Sequence, residues 1–245
     1  MKAKIGIDAG HGESYSGTYS VNSLNDGLFE KDFTLEQAFL IRDYLLKNGF
    51  AVVMTRTDDK NPGNVNERAK IVAKEKCDFA LSIHFNGFKT ESAKGTEVFV
   101  PYSEKFGGIE TGFFNYLGEF FEPRKPFAKS SNYYNKDSVF DKKLNLETRK
   151  FDAVSSEKDY FGFIRSCWER GVSADLLEIC FLTNEKDFKT YTENRREIAK
   201  VIAKSIVEGF GEKFVDEEKE KDKVIAKPKM KIFAIYRKNR KDMLN

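Results

Sequence analysis

Only two histidines occur among the chain's 245 residues, and each closes an apolar run. His11 follows Ile5-Gly-Ile-Asp-Ala-Gly10, and His84 follows Leu81-Ser-Ile83. Imidazole is the commonest metal ligand, and in an open α/β sheet the carboxyl ends of the strands are where loops and helix N-termini converge on a ligand. Taken singly, either histidine reads as a hydrogen-bonded core or surface residue. Taken together at matching strand ends, with Gly10 and Gly12 around one and Asn86-Gly87 after the other, they favour a shared metal ion.

A catalytic zinc site commonly takes three protein ligands from His and Glu or Asp and keeps one position open. Glu30 is the best third ligand, because it stands where the chain returns from the loop that starts at His11. Against that, an acid at the start of a helix is favoured by the macrodipole alone, a role that Asp32 suits better. Glu178 interrupts the apolar run Leu176-Leu-Glu-Ile-Cys-Phe181. A carboxylate in a buried strand is costly unless it is paired, protonated or turned toward a cation. Glu178 is therefore either half of an internal salt bridge or a general base facing the metal.

The elements that must hold these residues follow from hydrophobic period. Residues 3–8 read as a buried strand, and Phe33, Ala38, Ile41, Tyr44 and Leu45 mark a helix to Lys47, with Thr34 and Gln37 as a capping-box pair and Gly49 as its stop. Val52–Met54, Phe79–Phe85, Gly95–Val100 and Ala174–Phe181 read as strands. Asn66–Lys76, Phe106–Phe121, Asn184–Tyr191 and Asn194–Phe214 read as helices. Between Pro123 and Tyr160 no period of either kind is visible. The alternation predicts an α/β fold with a single twisted, mostly parallel sheet flanked by helices on both faces.

Composition bounds the rest. With 40% hydrophobic and 33% charged residues and only 5 Pro and 17 Gly, the chain is a folded globular protein and not a collagen-like or disordered one. No run approaches the roughly 20 apolar residues that span a bilayer, and Lys2 and Lys4 precede any long apolar stretch, so neither a transmembrane segment nor a signal peptide is expected. The three cysteines, Cys77, Cys167 and Cys180, form no CxxC pair and read as reduced core residues. The net charge of +3 is unevenly spread: residues 227–245 carry seven Lys and Arg against Asp242, and the first 215 residues are close to neutral. The expected organisation is a catalytic domain over 1–215, a charged linker over 216–228 and a short basic tail over 229–245, which either docks on something or is the remnant of a second module, and whose strand-like run is Met230–Arg237.

Several motifs together resemble one family. Ile5-Gly-Ile-Asp-Ala-Gly-His-Gly12, Gly27-Leu-Phe-Glu-Lys-Asp32, Val52-Val-Met-Thr-Arg-Thr-Asp58, Glu67-Arg68, Ser82-Ile-His-Phe-Asn86, Gly95-Thr-Glu-Val-Phe99 and Leu177-Glu-Ile-Cys-Phe-Leu-Thr-Asn184 are similar to the zinc-dependent N-acetylmuramoyl-L-alanine amidases of the amidase-3 family. The resemblance spans about residues 3–212. It implies one Zn2+ per chain on His11, Glu30 and His84, Glu178 as general base, and peptidoglycan as substrate, cut between N-acetylmuramic acid and L-alanine of the stem peptide. Glu13 stands where the family usually has a second glycine, and residues 123–168 match poorly.

The rival readings are a zinc peptidase cutting within the stem peptide and a non-catalytic cell-wall-binding module. The resemblance places the action at the bacterial cell wall. A wall hydrolase with no recognisable leader fits a phage endolysin released through a membrane lesion, a protein exported by another route, or one whose leader has been removed. Tyr133, Tyr134, Phe161 and Trp168 are candidates for stacking on sugar rings, although most such residues are core. The basic tail suits a solvated end or attraction to anionic wall polymers, and no specific nucleic-acid partner is expected.

Overall fold

Alternation of apolar residues along Lys4–Ala9 makes β1, whose Ile5, Ile7 and Ala9 are fully buried. The computed structural model describes residues 2–13, 15–20, 28–60, 63–90, 92–101, 107–124, 127–128, 143–145, 150–152 and 159–216. The expectations for the linker, the tail and its Met230–Arg237 run, for Tyr133 and Tyr134, and for most of the stretch from 125 to 158 lie outside those residues.

Among the described residues five helices and eight strands follow in chain order: β1, α1 (Glu30–Lys47), β2 (Ala51–Met54), α2 (Val65–Lys74), β3 (Phe79–Asn86), β4 (Glu97–Val100), α3 (Gly108–Leu117), β5 (Phe127–Ala128), β6 (Lys143–Asn145), β7 (Lys150–Asp152), α4 (Gly162–Trp168), β8 (Ser173–Phe181) and α5 (Glu185–Gly209). Six strands form one sheet in the order β2-β1-β3-β8-β4-β5. The pairs among β2, β1, β3 and β8 are parallel, as is β4 with β5, whereas β4 runs antiparallel to β8. The mostly parallel sheet is thus as expected, with one reversed pair and, apart from it, a small antiparallel β6/β7 ladder.

Each helix stripe selects a face. Phe33, Ala38, Ile41, Tyr44 and Leu45 of α1 join Ile5 and Ile7 of β1, Phe79, Leu81 and Ile83 of β3, and Ile198, Ile202 and Ile206 of α5 in the main core. Ala69 and Val72 of α2 and Phe163 and Cys167 of α4 cover the other face over Ala80 and Ala174. All three cysteines are free and buried, and burial pushes the Cys77 thiol up to about 12, which leaves these groups inert. Among the described residues no helix is long and apolar enough to cross a membrane. The compact unit runs from Met1 to Phe214.

Helix boundaries differ from the expectation for local reasons. α1 begins three residues before Phe33, because the Asp32 carboxylate accepts from the Phe29 N–H at 2.9 Å and caps the turn; Thr34 and Gln37 lie buried within the helix instead. The two expected C-terminal helices meet end to end within Glu185–Gly209, divided where Asn194 leaves helical geometry (φ −122°, ψ 17°). There the Asn194 side chain donates to the Thr190 carbonyl at 2.9 Å, competing with the helix's own backbone bond. α4 forms just past the stretch where no period is visible, in residues to which the sequence reading assigns no element, since seven residues are under two turns and give little periodic signal.

A buried charge fastens β1 to its neighbours. Asp8 has no exposed surface and accepts from Arg68 Nη1 at 3.0 and 2.8 Å, from Thr55 Oγ1 at 2.7 Å and from Ser82 Oγ at 2.7 Å. Burial alone would raise the carboxyl; Arg68 and the two hydroxyls outweigh it and hold the group below the ordinary carboxylate range. Thr55 follows β2, Arg68 belongs to α2 and Ser82 to β3, so one carboxylate joins three elements next to the strand ends.

Candidate metal centre

The carboxyl ends of β1 and β3 lie side by side, Ala9 being the register partner of Ile83; His11 stands two residues past the end of β1, and His84 belongs to β3 itself. His11 has φ 62°, the left-handed region that non-glycine residues seldom occupy. That conformation turns the chain back through Gly12, whose N–H and carbonyl pair with Tyr15. The loop then meets the start of α1: Thr18 O accepts from Glu30 N at 2.8 Å and Ser16 O from Lys31 N at 3.1 Å, satisfying two N–H groups that a helix N-terminus leaves open.

Glu30, the first residue of α1, is buried and points at both histidines. Its Oε1 lies 3.0 Å from His11 Nε2 and 2.9 Å from His84 Nδ1, and also accepts from the Phe85 N–H at 3.0 Å. Its Oε2 accepts from the Thr18 N–H at 2.9 Å. Burial would raise this carboxyl, but the two imidazoles bring it below the ordinary carboxylate range. Two glycines make the approach feasible. A Cβ on Gly10 would run into the His84 ring, and one on Gly17 (φ 74°) would run into Glu30 Oε2 and His11 Cδ2.

Glu178 stands on β8 as the direct register partner of His84, and on its other side it pairs with Glu97 of β4. Paired residues share a face of the sheet, so His84, Glu178 and Glu97 form a row across three strands. Just beyond, the β3/β8 register slips between His84 and Asn86, placing Phe181 opposite Asn86; such a bulge re-aims side chains at a strand end. Glu178 Oε2 is buried with no hydrogen-bond partner among the described residues. Burial, then the carboxylates of Glu30 and Glu97, push its carboxyl well above the usual range. The internal salt bridge weighed from sequence does not form among the described residues.

His11, Glu30 and His84 can each direct one ligand atom at a common point, these atoms lying within 4.8 Å of one another. Two imidazole nitrogens and one ionised carboxylate suit a divalent cation held by three protein ligands with a further position free. Two buried atoms of these residues, His11 Nδ1 and Glu178 Oε2, have no hydrogen-bond partner among the described residues, so their polar groups are incompletely satisfied by protein alone. The donor set and the orphaned atoms both fit a bound metal ion.

Sequence reasoning missed two residues that support the group. Glu97 accepts from Asn86 Nδ2 at 2.6 Å and pairs with Arg124 Nε at 2.9 Å; its signal, an acid inside the apolar run Glu97–Val100, was the one that singled out Glu178. Arg56 gave no such signal, because its partners are backbone. It donates to the carbonyls of Ala9 (3.0 Å), Gly10 (3.0 Å), Lys31 (2.7 Å) and Asp58 (2.9 Å), and to Thr34 Oγ1 (3.1 Å). One guanidinium thus ties the segment before His11 to the helix turn bearing Glu30. An ammonium cannot span that fork of acceptors, so Arg56→Lys is expected to weaken metal binding by about tenfold or more, measured by competition with a chromogenic chelator. Unchanged affinity would remove this role.

Of the sugar-stacking candidates, Phe161 is spent on Phe99, with ring centroids 4.4 Å apart, and Trp168 is half-buried at the end of α4.

A family model described as N-acetylmuramoyl-L-alanine amidase matches residues 5–208. The germination-specific N-acetylmuramoyl-L-alanine amidase of Bacillus subtilis (strain 168) is 31% identical over 108 residues, covering 39% of this chain and 44% of that protein. The probable cell wall amidase LytH of Staphylococcus aureus is 36% identical over 95 residues, covering 39% and 30%. The chain thus spans less than half the length of these relatives. Among solved structures, the catalytic domain of CwlV, an amidase from Bacillus (Paenibacillus) polymyxa var. colistinus, superposes with TM-score 0.59 at 24% identity over 84% of this chain and 97% of that one. Cwp6 from Clostridium difficile gives 0.63 at 23% identity, over 85% and 29%. At such identities the structural likeness speaks to the fold.

Proposed function

Because the chain belongs to the N-acetylmuramoyl-L-alanine amidase family, whose model spans residues 5–208, we propose that it hydrolyses the amide between N-acetylmuramic acid and L-alanine in peptidoglycan, at the bacterial cell wall, with one zinc ion on His11, Glu30 and His84 and Glu178 as general base. The observation that carries the reading is the convergence of both histidines on Glu30 Oε1, at 3.0 and 2.9 Å, beside a buried carboxyl whose Oε2 has no partner among the described residues.

An amide carbonyl is a poor electrophile and neutral water a poor nucleophile. A zinc ion at this group supplies Lewis-acid polarisation of the carbonyl and makes water acidic enough to attack near neutral pH. The chain's own residues do the rest. Glu30, held ionised, contributes the negative ligand and keeps both imidazoles oriented. Glu178, on the neighbouring strand, takes a proton from the attacking water and later hands it to the alanine nitrogen as that amine leaves. Burial and like charge push this carboxyl well above the usual range, which suits a group that must hold a proton between the two steps.

The deciding experiment digests purified peptidoglycan and identifies the products by mass spectrometry, with and without a chelator. The expected products are peptides with free N-terminal alanine and intact glycan, lost on chelation. New termini within the stem peptide would assign the protein as a peptidase instead.

A further inference from the structure

Arg124 stands at the far end of the row formed by His84, Glu178 and Glu97. Neighbouring strands lie about 4.8 Å apart, so two steps, from β3 to β8 to β4, carry that row roughly 10 Å from the candidate metal centre. The backbone there is fastened. Arg124 N–H donates to the Thr96 carbonyl at 2.9 Å, and Thr96 N–H donates to the Glu122 carbonyl at 3.0 Å. Gly95 (φ 100°) permits this approach, since a Cβ there would run into the Glu122 carbonyl oxygen. Thr96 also reaches back to β8, its Oγ1 donating to the Glu178 carbonyl at 3.2 Å. One threonine thus joins the backbone of Glu178 to the segment that carries Arg124.

The side chain is held as firmly. Its Nε lies 2.9 Å from Glu97 Oε1, and its guanidinium carbon sits 5.4 Å from the centroid of the Phe181 ring. Glu97 cannot turn away, because its Oε2 takes the Asn86 Nδ2 donor at 2.6 Å. Neutralising the buried Glu97 needs only a cation, and a lysine ammonium would supply one. A guanidinium does more. With one nitrogen bound and one face against a ring, its two Nη groups remain as a flat pair of donors, the arrangement that grips a carboxylate through two parallel bonds. Arg124 makes no further hydrogen bond or ion pair among the described residues, and its side chain is 39% exposed.

Such a fork selects a planar or tetrahedral oxyanion. Under the amidase reading the group that leaves is a peptide, and the anions of an unmodified peptide are carboxylates. An extended chain covers about 10 Å in three residues, so a peptide lying along the row of strand ends reaches the fork. We propose that Arg124 is a specificity-determining residue: its Nη groups receive a carboxylate that the peptide carries within about three residues of the amide that is cut, and the protein therefore prefers peptides whose carboxyl groups are free over those in which they are amidated. The proposal rests on the amidase reading above.

The test uses the full chain and two N-acetylmuramoyl-L-alanyl tripeptides with an acidic second residue, one with every carboxyl free and one with every carboxyl converted to the amide. The wild type is expected to favour the acidic substrate by about tenfold in kcat/KM, the contribution of a hydrogen-bonded pair to a charged group. Arg124→Gln is expected to bring that ratio to about one. Lost support of Glu97, or lost folded protein, would slow both substrates together and leave the ratio as it was. A retained ratio therefore overturns the proposal, as does a wild type with no preference. Arg124→Lys keeps a cation beside Glu97 without the fork and is expected to lose most of the preference; a lysine variant with the full tenfold ratio also overturns it. Calorimetric titration of the same two peptides separates this idea from the amidase reading. If the wild type cleaves neither, that reading fails, while tighter binding of the acidic peptide that is lost in Arg124→Gln still supports the subsite, and equal binding of both peptides still overturns it.

Discussion

Glu178→Gln is expected to lower kcat by about 10²- to 10⁴-fold, the range in which a positioned acid–base group contributes, while the protein still holds one equivalent of zinc. Glutamine fills nearly the same volume, so the packing around Leu177 and Ile179, both buried, is retained. What disappears is a group able to take and return a proton. The amide also cannot repel Glu30 and Glu97, the carboxylates that help raise Glu178, so the folded protein should be no less stable than the wild type. Single-turnover rates, metal content by mass spectrometry and a thermal melt separate these effects. A Glu178→Gln protein that keeps wild-type kcat would end the assignment of this residue as the base.

His84→Ala carries the second large effect, loss of the metal itself. His84 supplies one of three ligand atoms, and its Nδ1 sits 2.9 Å from Glu30 Oε1. Removing it leaves two ligands and, behind the alanine, a space that Gly10 cannot fill. Zinc content after dialysis is expected to fall from one equivalent toward zero, with hydrolysis lost in parallel; His11→Ala is expected to do the same. Ligand nitrogens must be unprotonated to bind, so zinc should also leave the wild type as the pH falls and protons compete for the imidazoles. Dialysis against buffers of graded acidity followed by metal analysis reads this directly. Stoichiometric zinc in His84→Ala would show that the ion is held elsewhere.

The residues that come together at the candidate site were more legible in the sequence than the scaffold that aims them. Histidine is rare enough here that two strand-end occurrences stood out, and an acid within an apolar strand pointed to Glu178. The ambiguity at Glu30 was local, since residues 30 and 32 both lie in the first turn of α1. Structure resolves it by assignment of partners: Asp32 caps the Phe29 N–H, and Glu30 turns to the histidines. Strand direction was not readable. The apolar run of β4 looks the same whichever way it runs, and its pairing antiparallel to β8 depends on contacts far along the chain. The role of Arg56 was hidden for a related reason. It recognises carbonyl oxygens, which every residue has, so the residue types around it carry no trace of the contact. Exposure was equally invisible: Phe161 and Tyr15 are both aromatic, yet one packs on Phe99 and the other lies open beside His11.

The strand order gives the chain a sequence of events during synthesis. His11, Glu30 and His84 all precede residue 90, whereas Glu178 arrives on β8, which occupies the sheet interior between β3 and β4. The three residues proposed to hold the ion are therefore all synthesised before the strand that fills the central place in the sheet. β4 has no strand to pair with on that side until β8 enters, and the long separation of β3 from β8 makes this closure a slow, non-local step. Under the proposed assignment, the residues that would hold the ion and the residue that would move the proton thus enter the sheet at different times.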